Sequence, residues 1–299
     1  MNLLHIKKTN VTNIGDPYVI KANGKFYMYA TSFVDGFNVW TSDDLLNWSA
    51  PLRAYAVGEK SFGYTDFWAP EVVAREDGKY VMHYSARSRK DDALYIGVAV
   101  ADCPEGPFVD VYDKRPMFDF GYATIDGHVL FDGDKRYFYY SRDCSQYVYE
   151  GRKESHIYAV ELDESLTRVI SEPTLIARPE QEWEKITGDC RWNEGPFVIK
   201  QDGYYYLTYS SGFYASPSYS MGYAVSRSPL GPFVKASENP ILYSVSGALS
   251  GPGHNSVVDG NNGERYCVFH EHTYENNPSS DRRACLCPIR FEKGKVILY

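Results

Sequence analysis

The chain lacks any apolar run of the roughly 18 residues that a membrane-spanning helix requires, which excludes a helical membrane protein. It also lacks positive charge in excess. Lys and Arg number 31 against 39 Asp and Glu, a formal net charge of −8. Nucleic acids and anionic membrane surfaces are held by basic stripes that release counterions from phosphates, so both are excluded as partners and a neutral substrate fits better. The first residues, MNLLHIKKTN, have no apolar core of a signal peptide, and the expected location is cytoplasmic. Cysteines are scattered at Cys103, Cys144, Cys190, Cys267, Cys285 and Cys287. Only the last two lie close together, and a metal or disulfide framework needs a second tight pair, so reduced, packed thiols are expected. Missing as well is any apolar stripe of helical period over ten or more positions.

What the chain has in quantity is aromatic surface: 27 Tyr and 15 Phe in 299 residues. Broad rings suit the pleated face of a strand. One pattern recurs five times, a short apolar strand, a turn rich in Gly, Asp or Asn, then an aromatic strand. The units are DPYVIKANGKFYMYATS from Asp16, APEVVAREDGKYVMHYS from Ala69, DGHVLFDGDKRYFYYS from Asp126, EGPFVIKQDGYYYLTYS from Glu194 and HNSVVDGNNGERYCVFH from His254. Their turns supply the positive φ of tight hairpins. Further strand-like runs, such as ALYIGVAVA from Ala93, bring each unit to three or four strands. Repeated small sheets without helices predict an all-β, five-bladed β-propeller forming a single domain, with blades starting near residues 16, 69, 126, 194 and 254. A β-sandwich, the main rival, does not explain why the units resemble one another.

In a propeller the innermost strand of each blade lines the central channel, so equivalent repeat positions converge on the axis. Taking the first residue of each unit as equivalent, Asp16, Ala69, Asp126, Glu194 and His254 meet at one channel mouth. Any one of these could be a turn or cap residue. Three carboxylates together repel one another and raise at least one pKa, a cost that points to use. Two carboxyl groups suffice to cleave a glycosidic bond, and a third can hold up the acid's pKa.

These phrases resemble glycoside hydrolase family 43, the β-xylosidase and α-L-arabinofuranosidase family, over nearly the whole chain from about Ile14 onward. The resemblance implies that Asp16 in G-D-P is the general base, Asp126 in I-D-G the pKa modulator, and Glu194 in E-G-P the general acid. A propeller clan of fructan-cleaving enzymes also uses Asp, Asp and Glu, but its phrases N-D-P, R-D-P and E-C-P differ from those here. Gly127 departs from the Pro that often follows the third-blade Asp. His254 in GPGHNS resembles a fifth-blade histidine beneath the sugar, which implies contact with calcium, direct or through water. Trp68 in FWAPE is placed to stack on a sugar or wall the pocket, and Arg283 resembles a last-blade arginine that reaches the substrate, with Arg282 as its rival in register.

The resemblance implies an inverting glycosidase acting on an oligosaccharide, without an organic cofactor. Exo release of terminal β-D-xylose or α-L-arabinofuranose is favoured, because SRDCSQYVYEGRKES and ARPEQEWEKITGDCRW are long enough to wall a pocket. The rivals are an endo-arabinanase and, from a different class, a non-catalytic sugar-binding propeller. No appended β-sandwich is expected after the fifth blade, which leaves propeller loops or a neighbouring copy in a homo-oligomer to complete the subsite.

Overall fold

The second strand of each repeat is sandwiched between two neighbouring sheets, and that position explains the aromatic runs. In Lys25–Phe33, Tyr27 and Tyr29 enter the cluster shared with the next blade, while Phe26, Met28 and Ala30 enter the one shared with the preceding blade. Alternation sends successive side chains to opposite faces, so a strand buried on both faces is apolar throughout. Tyr206 likewise faces one cluster while Tyr205, Leu207 and Tyr209 face another.

The computed structural model describes residues 5–185 and 188–299. Its strands form five blades around one axis, read from inside to outside as Gly15 to Ala22, Lys25–Phe33, Gly36–Ser42 and Leu52–Ala56 for blade one. Blade two is Gly63–Ala74, Tyr80–Ser88, Leu94–Ala101 and Val109–Asp110; blade three is Thr124–Asp132, Lys135–Arg142, His156–Leu162 and Thr174–Ala177. Blade four comprises Glu194–Gln201, Tyr204–Ser211, Ser220–Ser226 and Val234–Lys235. Blade five contributes Gly253–Asp259, Arg265–His272 and Arg282–Glu292. Each neighbouring pair of blades encloses one hydrophobic cluster, so the core is a ring of interfaces.

The ring is closed by the chain's beginning. The strand Lys7–Ala22 pairs antiparallel with blade five through its first half, from Lys7 opposite Leu286 to Ile14 opposite Arg282. Its second half is the innermost strand of blade one. Val11 and Ile14 are buried between the two blades beside Val258, Val268 and Leu286. The short strand Lys295–Leu298 covers the rest of the same edge, opposite Ile289 to Glu292.

Two long connections meet on one side of the axis. Residues 143–155 follow the second strand of blade three and residues 178–193 precede blade four; Lys153 pairs with Cys190 in a small parallel bridge between them. Residues 186 and 187 of the second connection lie outside the described residues. None of the cysteines is bonded to another, and Cys267, Cys285 and Cys287 are buried in the blade four to five interface. Among the described residues no helix is long and apolar enough to cross a membrane.

Ring closure should dominate stability. Val11→Asp puts a charge into the closing interface and should cost more than about 3 kcal/mol, whereas Thr12→Asp, on the exposed face of the same strand, should stay within about 0.5 kcal/mol. Urea unfolding of both variants checks this; similar midpoints would mean that the strand does not hold the ring.

Candidate active site

Every innermost strand carries the same irregularity. Asp16, Ala69, Asp126, Gly195 and His254 all have φ between 45° and 58°. A left-handed residue within a strand makes a bulge that turns its neighbours toward the axis. The residue just before each bulge, Gly15, Trp68, Ile125, Glu194 and Gly253, pairs with Thr31, Ser85, Ser141, Ser210 and His270 in the second strands. Glu194 is therefore not equivalent to Asp16 and Asp126; it stands one residue earlier, in register with Trp68. A valine three residues beyond the bulge, at 19, 72, 129, 198 and 257, carries this framing in the sequence.

The bulges are stitched to one another. Backbone N–H groups donate from Ala69 to Thr31 Oγ1 at 2.9 Å, from Asp126 to Ser85 Oγ at 3.0 Å and from His254 to Ser210 Oγ at 2.7 Å. Asp16 N–H donates to His270 Nδ1 at 3.1 Å. Only the fourth blade differs: Gly195 N–H donates to Asp126 Oδ2 at 3.0 Å, and Ser141 Oγ, the acceptor the pattern anticipates, is buried without a partner. Gly195 is required twice over, by its φ of 55° and because a Cβ there would meet the His254 ring at 3.1 Å.

These positions bring Asp16, Trp68, Asp126, Glu194 and His254 to the wall of one open cavity of about 480 Å³. Arg282 lines it too, and Arg283 does not. Successive residues of the strand Arg282–Glu292 face opposite sides, so only one of the two can reach the axis. Arg282 Nη1 donates to Asp16 Oδ1 at 3.0 Å, passing over Gly15, where any Cβ would collide with the guanidinium at 2.0 Å. Trp68 both borders the cavity and packs on Leu94, Ala123 and Ile125. Phe213 sits at the rim near Trp192, their rings 6.1 Å apart.

The three carboxyls differ in surroundings. Burial would raise Asp16, but the Arg282 guanidinium outweighs it together with His254 Nδ1 at 3.3 Å, His270, and the Thr31 hydroxyl at 2.6 Å, and holds the carboxyl well below the usual range. Asp126 is raised to about 6, chiefly by burial, with Asp16 and Asp143 adding repulsion against the opposing pull of His254 and Gly195 N–H. Glu194 is raised well above its ordinary value by burial first and then by the charge of Asp126, against the hydrogen bond it accepts from Tyr219 at 2.9 Å. One carboxylate held ionised and one carboxyl held protonated across a cavity form an acid–base pair.

Several of these groups were not among the sequence candidates. Tyr219 is buried and stacks on His270 with ring centroids 5.5 Å apart. Asp143 is a further carboxylate at the cavity, its Oδ2 accepting from Ser145 N–H at 2.8 Å. Below, along the axis, a small cavity of about 20 Å³ is bordered by Glu71, His254 and Asn255. The Asn255 side chain is buried with neither amide atom partnered.

A family model described as Glycosyl hydrolases family 43 matches residues 11–296. The chain is 27% identical to a β-D-galactofuranosidase of Aspergillus niger over 95% of this chain and 81% of that protein. It is 26% identical to a xylosidase/arabinosidase of Bacteroides ovatus over 95% of this chain and 94% of the other. The solved structure of a thermostable family-43 glycoside hydrolase superposes with a TM-score of 0.92 at 43% identity, covering 97% of this chain and 94% of that one.

The raised Asp126 carboxyl has a stability signature. Unfolding lets it ionise from its ordinary 3.8, whereas in the folded chain it ionises only at about 6, so stability fully present below about pH 4 is lost as the pH climbs to about 6. Asp126→Asn removes this loss. Relative to the parent, the variant should gain on the order of 1–3 kcal/mol between about pH 4 and pH 7 in urea unfolding. An unchanged difference at the two pH values would contradict the shift.

Proposed function

The chain belongs to glycosyl hydrolase family 43, and from that premise we propose that it is an inverting, exo-acting glycosidase releasing terminal β-D-xylose or α-L-arabinofuranose from hemicellulose or arabinan oligosaccharides. The observation that carries the reading is the opposite bias of two carboxyls at one cavity, Asp16 held ionised beside Arg282 and Glu194 held protonated beside Asp126.

In the proposed reaction Asp16 takes a proton from water as the water oxygen bonds to the anomeric carbon. The bond from that carbon to the leaving oxygen breaks, and Glu194 gives that oxygen its proton. Attack and departure on opposite faces invert the anomeric centre. Asp126 keeps Glu194 protonated through its charge and accepts from Gly195 N–H, which holds the backbone next to the acid. Arg282 keeps Asp16 ionised, at the expense of basicity in the attacking step.

Exo action is supported by the two connections that meet beside the cavity: Asp143, Cys144 and Ser145 come from one and Trp192 from the other. The pentose is supported by the Bacteroides ovatus relative, a xylosidase/arabinosidase. The Aspergillus niger relative, a β-D-galactofuranosidase, makes a galactofuranoside the second substrate class. For calcium, which takes 6 to 8 mostly oxygen ligands, the unpartnered Asn255 amide oxygen is a suitable donor and His254 a weaker one, with water supplying the rest. When bound, such an ion would add positive charge below the sugar and orient His254 toward Asp16.

Nitrophenyl β-D-xyloside, α-L-arabinofuranoside and β-D-galactofuranoside assayed side by side should give turnover on one of the first two, with the inverted anomer appearing first by proton NMR. Glu194→Gln should lower kcat by about 10²–10⁴-fold on a disaccharide. The activity profile should be bell-shaped, with the basic limb set by Glu194 above the ordinary carboxylate range. Asp126→Asn removes a negative charge beside Glu194, so that limb should move to lower pH; an unmoved limb would exclude Asp126 as the modulator.

A further inference from the structure

One residue before Glu194 the chain enters a buried polar cluster that takes no part in the proton transfers. Lys235 Nζ donates to Glu184 Oε1 at 2.5 Å, to Asn193 Oδ1 at 2.8 Å and to the Arg178 carbonyl at 2.6 Å, which uses all three of its protons. Glu184 is as fully engaged. Its Oε1 also accepts from Asn193 Nδ2 at 3.1 Å and Tyr209 OH at 2.7 Å, and its Oε2 accepts from the N–H groups of Glu180 and Gln181 at 2.6 and 2.7 Å. Glu184 and Asn193 are completely buried, and the Lys235 side chain is 8% exposed.

The three residues lie well apart along the chain. Glu184 lies in the connection before blade four, Lys235 in the outermost strand of that blade, and Asn193 at the point where the connection becomes the innermost strand. A buried ion pair is a poor source of net stability, because desolvation offsets most of the attraction. What it does supply is a single geometry for the groups it holds. Here those groups end at Asn193, whose own N–H donates to the Ser155 carbonyl at 3.1 Å, so the backbone entering Glu194 is held from two sides.

We propose that Lys235, Glu184 and Asn193 are positioning residues for the acid: they hold Glu194, and Trp192 beside it, against the leaving group. The proposal rests on the reading of Glu194 as the general acid. An acid that transfers its proton in the transition state must sit within hydrogen-bond reach of the leaving oxygen, and small displacements there reduce the rate.

The test exploits leaving groups that differ in their need for a proton. A dinitrophenyl glycoside expels its phenolate unaided, whereas a disaccharide of the same pentose needs the acid. Asn193→Ala leaves the Lys235 to Glu184 contact intact, so the cluster keeps its mutual charge compensation and the chain should fold. Its kcat on the disaccharide should fall about tenfold with KM within about twofold, while dinitrophenyl turnover stays within about twofold. The Lys235→Met, Glu184→Gln double variant, which removes both charges, should give the same split, and Glu194→Gln a larger one. Equal losses on both substrates, or no loss on either, would overturn the proposal and leave the cluster as a structural pin. A Glu194→Gln variant that itself loses both substrates equally, or neither, would instead sink the reading of Glu194 as the acid, so the two failures are separable.

Discussion

The structure depends on a ring of hydrogen bonds at the axis, in which the left-handed residue on each blade's innermost strand donates its N–H to a group of the neighbouring blade. Five sheets packed only through apolar faces could slide relative to one another, since dispersion and hydrophobic burial are weakly directional. The bonds at the bulges set the height of each blade against the next. They also bring residues far apart in sequence to one mouth of the channel, so the element that registers the fold also assembles the site.

At one place the ring departs from its rule, and the departure is chemical. Asp126 takes the N–H of Gly195 that Ser141 is placed to receive, leaving the Ser141 hydroxyl without a partner. A buried hydroxyl without a hydrogen bond costs stability. In return, the carboxylate is attached to the peptide that carries Glu194 and raises the proton affinity of that acid through its charge. On the other side Arg282, admitted by the absence of a side chain at Gly15, lowers Asp16. The division of labour between two buried carboxyls of similar intrinsic acidity thus arises because burial and an anion of blade three together raise Glu194, while a cation of blade five helps outweigh the same burial at Asp16.

Much of this was legible in the sequence. The hairpin turns and aromatic runs predict the blades, because a strand buried on both faces must be apolar throughout, and the five-bladed propeller follows from their repetition. Asp16, Asp126, Glu194, Trp68 and His254 all reach the cavity. The framing of blade four was legible too, but only by counting to the valine and not from the first charged residue. Arg282 and Arg283 could not be told apart from local pattern, since their placement depends on pairing with the strand Lys7–Ala22, whose irregularity between Thr12 and Ile14 sets Arg282 opposite Ile14 and Arg283 opposite Thr12. Tyr219, Asp143 and the Lys235 cluster carry no local signal: Tyr219 reaches Glu194 across 25 residues of chain and Lys235 reaches Glu184 across 51. Ring closure by Lys7–Ala22 was likewise hidden, as its first half belongs to no repeat.

The closing strand also gives the molecule an order in time. Asp16 is made 266 residues before Arg282, which holds it ionised. As the chain is synthesised, four blades can form while the base still lacks its cation and while the strand that carries it has no blade five to pair with. The acid and its modulator, from blades three and four, come together earlier. Competence therefore arrives in one step with the last hairpin, and a chain interrupted before it carries every carboxyl of the site without the arrangement that sets their charges apart.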